Sequence, residues 1–357
     1  MDSMHIIASQ TLGGAESFYA RVVHALHEEG QRVVAVTRHG AQLGQCLAPD
    51  IPRHETWMLG HHDLLSRWHI RRLIERERPA IVQTYMSRAT DLTRVPRRAD
   101  SVHIARLGGF YKLKYFRHAD HWVGNTKGIC DYLVRGGLPP ERVHFISNFV
   151  DEGREVSADE CLTARRSAGM PEDALVVIAL GRLTRKKGFD ILLDAFARLP
   201  ASLHDRPLHL LLLGDGDLGD ALRQRADQLG IDGRVHWTGW QTDPAPFFAL
   251  ADLFVCPSRH EPLGNVILEA WSHRVPVIST ATDGGCELIE PGIDGLLVPP
   301  EDATALAGSM RELLADQGLR ARLASAGRDT LLRRHGRDAI VRAYDALYHH
   351  VTSPGKV

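Results

Sequence analysis

Short apolar runs recur along the whole chain, and stretches of helical period separate them. This alternation is the strongest constraint on the fold. Strands alternating with helices of about 10–15 residues require right-handed crossovers, and therefore a parallel, doubly wound α/β sheet. In the first half the runs predict strands at His5–Ser9, Arg32–Thr37, Ala80–Tyr85, Val102–Leu107, His121–Gly124 and Val143–Ile146. Helices are expected between them, notably over Glu16–Glu29, Leu64–Arg78 and Lys127–Arg135. In the second half "ALVVIAL", "LHLLLL", "RVHWTG", "DLFVCP", "VPVIST" and "GLLVP" read as strands. The pattern restarts after "SNFVDEGREVSADE", which is polar and poor in strand formers. Two Rossmann-like domains follow, over residues 1–150 and 151–337, with a linker near Asn148–Ser157. A length of 357 residues suits two cores of ordinary size. The closing segment 338–357, with "GRDAIVRAYDALYHHV" leading into it, reads as an amphipathic helix.

Composition excludes several classes. Hydrophobic content of 44% and charged content of 24% are those of a globular protein. The five cysteines are scattered, without a C-x-x-C pair or zinc spacing, which points to a reducing compartment. No basic n-region precedes an apolar stretch at the start, and no run of about 18 apolar residues occurs. A cytoplasmic protein is the expectation. Charge is unevenly divided: residues 1–150 carry 20 Lys+Arg against 14 Asp+Glu, and the remainder carries 23 against 30. The two halves are thus offered different partners, unless the split is ordinary surface variation.

In open parallel sheets, ligands bind beyond the carboxyl ends of the strands, and two such sheets can face one cleft. The loops after strands are therefore the place to look. The first carries Gly13-Gly14 directly before a helix, which allows close backbone approach and offers free N–H groups to an anion. A plain tight turn would look the same. "GRLTRKKGFD" places Arg182, Arg185, Lys186 and Lys187 ahead of a helix start, against the preference of the helix dipole. A bound polyanion would offset that cost, with Arg and Lys as its ligands; the bland alternative is a solvated basic turn. Gly214-Asp215-Gly216 resembles a dinucleotide fingerprint, yet the next strand, "RVHWTG", ends without the acid that holds a ribose. It reads as a loop lining the same cleft. Finally, "SRHEPLGNVILEAW" sets Glu261 in a loop and Glu269 in a helix that begins at Gly264, about 7.5 Å along its axis. Two carboxylates at separate depths suit two sugar rings joined through phosphate, with the backbone of Asn265 and Val266 near the bridge. A solvent-exposed polar stripe is the alternative.

Together "GRLTRKKG", "GDGD", "EPLGNVILEA" and Gly13-Gly14 resemble the family-4 retaining glycosyltransferases of the GT-B fold, over nearly the whole chain and most specifically over 181–288. The resemblance implies a nucleotide-sugar donor, UDP- or GDP-linked, serving as substrate without further cofactor. It implies Arg182 and Lys187 on the diphosphate, Glu261 on the sugar hydroxyls, Glu269 on the ribose and Gly13 and Gly14 near phosphate and sugar. It also implies retention of the anomeric configuration, no metal, and a last helix that crosses back to the first domain. Two departures stand out. "SNFVD" carries Phe149 where the family usually has Gly. The first domain's usual His is missing from the loop after its fourth strand: His103 falls in the strand, leaving Arg106 with Gly108 and Gly109 to stand in. Arg cannot be a general base, although it can steady charge.

These features predict transfer of a sugar to a hydroxyl of a glycan or lipid-linked acceptor, in cell-envelope or lipopolysaccharide synthesis. Peripheral contact of the basic half with an anionic membrane at its inner face is expected, and no nucleic-acid partner. A sugar-nucleotide 2-epimerase or phosphorylase on the same fold is the first rival, the latter weakened by the lack of a lysine suited to pyridoxal. A non-catalytic sugar-nucleotide-binding protein is the second.

Overall fold

The computed structural model describes residues 1–11 and 13–353. The chain forms two compact units. One comprises Met1–Phe149 together with the segment from Arg337; the other is Val150–Gly336. The boundaries fall one residue earlier than the sequence reading placed them, because Val150 is 3% exposed within the second unit's core.

The first unit holds β1 (Ser3–Ile7), β2 (Val33–Arg38), β3 (Arg53–Thr56), β4 (Ile81–Tyr85), β5 (Val102–Leu107), β6 (His121–Gly124) and β7 (Val143–Phe145) in the order 3-2-1-4-5-6-7. Every pairing is parallel. Helices cover both faces, so its central strands are buried on both sides and read as unbroken apolar runs. β1 starts two residues before the expected His5, since Ser3 already pairs with Val33 and Ile81. The polar Ser3 is buried with its Oγ 3.1 Å from His5 Nε2. β3 was not expected at all. It is an edge strand, mostly solvent-facing, and its sequence RHET carries no apolar run.

The helix Arg337–Thr352 completes this unit: Ile340, Val341, Tyr344, Leu347 and Tyr348 enter its core beside Ile7, Val33 and Ile81. A polar chain fixes the docking. Tyr348 donates to Gln83 Oε1 (2.7 Å), Gln83 Nε2 to the Tyr85 hydroxyl (2.6 Å), and that hydroxyl lies 2.9 Å from His5 Nδ1. Fully satisfied, such a network specifies one arrangement of the core. Burial pulls the His5 pKa down to about 3, so the ring is neutral.

The second unit holds β8 (Leu175–Leu180), β9 (Ser202–Leu203), β10 (Arg206–Leu213), β11 (Val235–Gly239), β12 (Leu253–Cys256), β13 (Val277–Thr280) and β14 (Leu296–Val298). Its parallel order is 11-10-8-12-13-14, with the two-residue β9 antiparallel to β10. No helix among the described residues is long and apolar enough to cross a membrane.

Candidate active site

The second unit builds its site from the carboxyl ends of β8, β10 and β12. After β8 the chain makes one 3-10 turn, Arg185–Lys187, and reverses at Gly188 into the helix Phe189–Phe196. Gly188 has φ +67°, and a Cβ there would strike the carbonyl of Pro257. Only glycine lets this turn lie so close to the loop after β12. The backbone N–H groups of Arg259 and His260 donate to the Lys186 carbonyl at 2.8 and 3.2 Å, stitching the same two loops. After β10, Gly214 and Gly216 take φ of +138° and +156° and press against the backbone of Gly181 and Leu183. Leu183 N–H donates to the Asp215 carbonyl at 2.9 Å. The glycines of "GDGD" are therefore held backbone against backbone.

These contacts aim one side chain. The Lys187 stem lies over Gly181, with Cδ and Cε 3.6 Å from where a Cβ would stand. Its ammonium forms an ion pair with Glu261, which also accepts from the Ser258 hydroxyl at 3.3 Å. Lys187 and Glu261 side chains are 25% and 12% exposed, so the pair faces outward from a largely desolvated seat. Burial alone would lower the Lys187 pKa. The Glu261 carboxylate outweighs it, with smaller help from Cys256 and Glu269, and holds the ammonium above its ordinary 10.5. Glu261 and Glu269 thus both bear on one cation.

Glu261 is itself fixed. Its carbonyl accepts from Gly284 N–H at 2.8 Å, and a Cβ at 284 would come within 2.7 Å of that oxygen. The next helix, Asn265–Ser272, starts after Gly264 at φ +90°, so Gly264 precedes the helix and does not begin it. Asn265, Val266 and Glu269 are half-buried, whereas Ser272 is buried and donates to the Glu269 carbonyl at 2.8 Å. Arg182 is exposed, with no ion pair among the described residues; Arg185, Lys186 and Asp215 are exposed as well. Asp215 Oδ1 accepts from Gly216 N–H at 2.7 Å.

Sequence reasoning missed Arg259. Its guanidinium grips both oxygens of Asp190 at 2.7 Å and Glu301 at 2.8 Å. This bidentate bond ties the loop carrying Glu261 to the helix following Lys187. Burial would raise the Asp190 pKa, but Arg259 holds it below the usual carboxylate value. Nothing in the spacing of "SRHEP" distinguishes this arginine from a surface residue.

In the first unit, Gly13 and Gly14 do stand at a helix start, Gly14–Glu28. Gly13 is in extended backbone, and the space beside it is taken by Glu16, whose Oε2 would lie 2.9 Å from an added Cβ. Arg106 is a correction. It lies inside β5, opposite Tyr85 and Val123, and is 3% exposed. The loop begins only at Gly108. The guanidinium donates to the Tyr344 hydroxyl (3.1 Å) and to Asn148 Oδ1, and sits 3.9 Å from the centre of the Phe18 ring. It is a buried tie among β5, the segment leaving the unit, and the returning helix. His103, also in β5, is buried with Nε2 3.0 Å from Thr84 Oγ1, and burial first, then nearby cations, lower its pKa to about 3.

Two family models cover most of the chain: Glycosyltransferase Family 4 over residues 12–154 and Glycosyl transferases group 1 over 162–330. The lipopolysaccharide core biosynthesis glycosyltransferase LpsE of Rhizobium meliloti is 38% identical over 93% of this chain and 94% of its own. The chain is a family-4 glycosyltransferase. LpsD of the same organism, another lipopolysaccharide core biosynthesis glycosyltransferase, is 32% identical over 98% of both chains. Among solved structures, a glycosyltransferase from Rickettsia africae superposes with a TM-score of 0.85 at 17% identity, covering 99% of this chain and 100% of that one. HepE of Anabaena, solved with UDP and glucose, gives 0.82 at 20% identity over 98% and 100%. These neighbours share the GT-B fold. As a family-4 glycosyltransferase the protein is an enzyme of sugar transfer, and its lysine–glutamate pair lies in the unit matched by the group 1 model.

Proposed function

We propose that this enzyme moves a hexosyl group from a nucleoside-diphosphate sugar to a hydroxyl of a lipopolysaccharide-core type acceptor, with retention and without a metal. The observation that carries the donor assignment is the Lys187–Glu261 pair held over the glycine loops at the ends of β8 and β10. A lysine whose pKa is held up stays charged and is no base; its use is to neutralise an anion. The departing nucleoside diphosphate is such an anion. The bond from anomeric carbon to phosphate oxygen breaks, the acceptor oxygen bonds to that carbon, and the acceptor proton leaves with the diphosphate. Lys187 and exposed Arg182 share the developing charge; Glu261 orients sugar hydroxyls and Glu269 the ribose. The names of LpsE and LpsD support the acceptor class, and the Anabaena neighbour, solved with UDP and glucose, supports a UDP donor over a GDP one. A lipid-linked acceptor places the work at the inner face of the cytoplasmic membrane.

The test is incubation with UDP-, GDP- or ADP-hexose, with and without a truncated lipopolysaccharide core and with chelator throughout. Acceptor-dependent nucleoside diphosphate release, and a product with the donor's anomeric configuration, is expected. Donor conversion without acceptor would point to an epimerase, and donor binding without any release to a binding protein.

A further inference from the structure

The structure carries an apolar surface that the transfer reaction does not use. Among the described residues, five of the twelve exposed large hydrophobics fall between residues 57 and 68: Trp57 at 58%, Leu59 at 64%, Leu64 at 70%, Leu65 at 78% and Trp68 at 58%. Single exposed leucines need no explanation, but a cluster does.

This cluster is built, not loose. Between Trp57 and Leu59, Met58 is fully buried at φ +43°, a left-handed conformation unfavourable for its side chain. Its N–H donates to Ser66 Oγ at 2.8 Å, and Leu59 N–H to Asp63 Oδ2 at 3.0 Å. Asp63 caps the helix Leu64–Glu77 through Ser66 N–H at 3.0 Å. Turning Met58 inward leaves the residues on either side facing out. The helix itself has two faces. Ile70, Leu73 and Ile74 fill the core. Leu64, Leu65 and Trp68 form a second stripe at helical spacing, continued by exposed Arg71 and Arg72. The Arg72 guanidinium lies 4.9 Å from the Trp68 ring centre. Just before the helix, His61 stacks on Tyr115 at 4.0 Å, and the loop after β5 that carries this tyrosine also carries exposed Lys112 and Lys114.

We propose that this face docks on an anionic lipid surface, with Trp57, Leu59, Leu64, Leu65 and Trp68 in the headgroup–acyl boundary and Arg72, Lys112 and Lys114 against lipid phosphates. Tryptophan and leucine flanked by cations are the chemistry of an interfacial helix. Basic residues add attraction to anionic headgroups, and the stripe's run from apolar to cationic matches the step from acyl chain to phosphate. The inference deepens the membrane-facing part of the proposed function by naming the surface, but needs neither donor nor acceptor for its test.

The full chain is sedimented with vesicles of phosphatidylcholine and phosphatidylglycerol, and tryptophan emission is read with brominated lipid. Wild type should bind and be quenched. Leu64→Ser/Leu65→Ser/Trp68→Ser should bind roughly 30- to 100-fold more weakly, by loss of partly buried apolar side chains. Trp57→Phe/Trp68→Phe should still bind but lose the quenching. Turnover on a detergent-free soluble acceptor should be unchanged in both, with circular dichroism confirming the fold. Equal binding by the serine variant, persistent quenching in the double phenylalanine variant, or no wild-type binding would overturn the proposal. So would a wild-type dimer in sedimentation equilibrium that the serine variant dissolves, which would assign the face to a second copy. Vesicle binding with no sugar transfer would leave the surface standing and sink the proposed reaction instead.

Discussion

The carboxyl edges of the two sheets begin from one architecture and are put to different ends. In the second unit, glycines at positive φ bring loops into backbone contact, and a lysine–glutamate pair is left facing outward. In the first unit, a cation near that edge, Arg106, lies within the strand β5 and hydrogen-bonds to the protein's own helix and linker. Two basic residues near the carboxyl edges of similar sheets thus differ: one is held facing outward by an ion pair, and the other is packed inside. What separates them is their place in the chain: Arg106 is inside β5 and enclosed by Phe18 and Tyr344, whereas Lys187 lies in the turn beyond β8.

The comparison breaks most easily at Lys187. Lys187→Ala should lower turnover about 100- to 1,000-fold, the scale for losing one group that stabilises developing charge. Arg182→Ala should fall at the lower end, since Arg182 is exposed. Steady-state kinetics at unchanged thermal stability is the measurement; normal turnover in either variant removes that residue from the mechanism.

Acid should separate the units. Burial holds His5 and His103 down to about 3, against an ordinary 6.5. Between those values the unfolded chain binds more protons than the folded one. Stability is therefore full above 6.5 and declines as pH falls toward 3, by about 2–3 kcal/mol per pH unit if both rings contribute a full proton. Hydrogen exchange of the intact chain near pH 5 should show β1 and β5 losing protection before β8 and β12, which carry no histidine. The opposite order would deny the buried histidines their role.

Arg106→Ala tests the packing assignment. Leaving Asn148 and the Tyr344 hydroxyl without their partner should cost roughly 2–4 kcal/mol of stability in denaturant, with turnover of the folded enzyme within about tenfold of wild type. A collapse of turnover at full stability would return Arg106 to the chemistry.

The glutamates sharpen the comparison further. Glu269→Gln should weaken titrated nucleoside diphosphate binding by about tenfold, and Glu261→Gln should not, as one group leaves the ribose and the other the sugar. In Glu261→Gln, burial acts on Lys187 without its main opposing charge. The alkaline limb of kcat/KM should then move to lower pH, while wild type keeps its charge to above 10.5. An unmoved limb would mean that Glu261 does not set the lysine's charge. The smallest effect is expected at Arg259→Ala, a few-fold in turnover, since its ion pairs are partly exposed and act only by holding the loop.

How much of this was legible in the sequence follows from burial. Strands buried on both faces, such as "VVAV" and "LLLL", appear as uninterrupted apolar runs and are visible without a structure. β3 was invisible because an edge strand that faces solvent needs no such run. The basic loop and the glutamate pair were legible through spacing, but what holds them was not. Arg259 and Gly284 act on backbone atoms many residues away, and such contacts leave no period. Arg106 was misread as a loop residue because a charged side chain at a strand end ordinarily marks the exit to solvent. Here Phe18, Tyr344 and Asn148 enclose it, and all three come from other parts of the chain.

The returning helix Arg337–Thr352 has a consequence for the order in which the protein can be made. Residues of the second unit are contiguous, so that unit can close its core as soon as Gly336 has left the ribosome. The first unit, though synthesised first, lacks Tyr344 and Tyr348 until the returning helix has been made, and Arg106 and Gln83 wait for those hydroxyls. Domains ordinarily fold in the order of synthesis. In this chain the earlier-born unit is the later one finished.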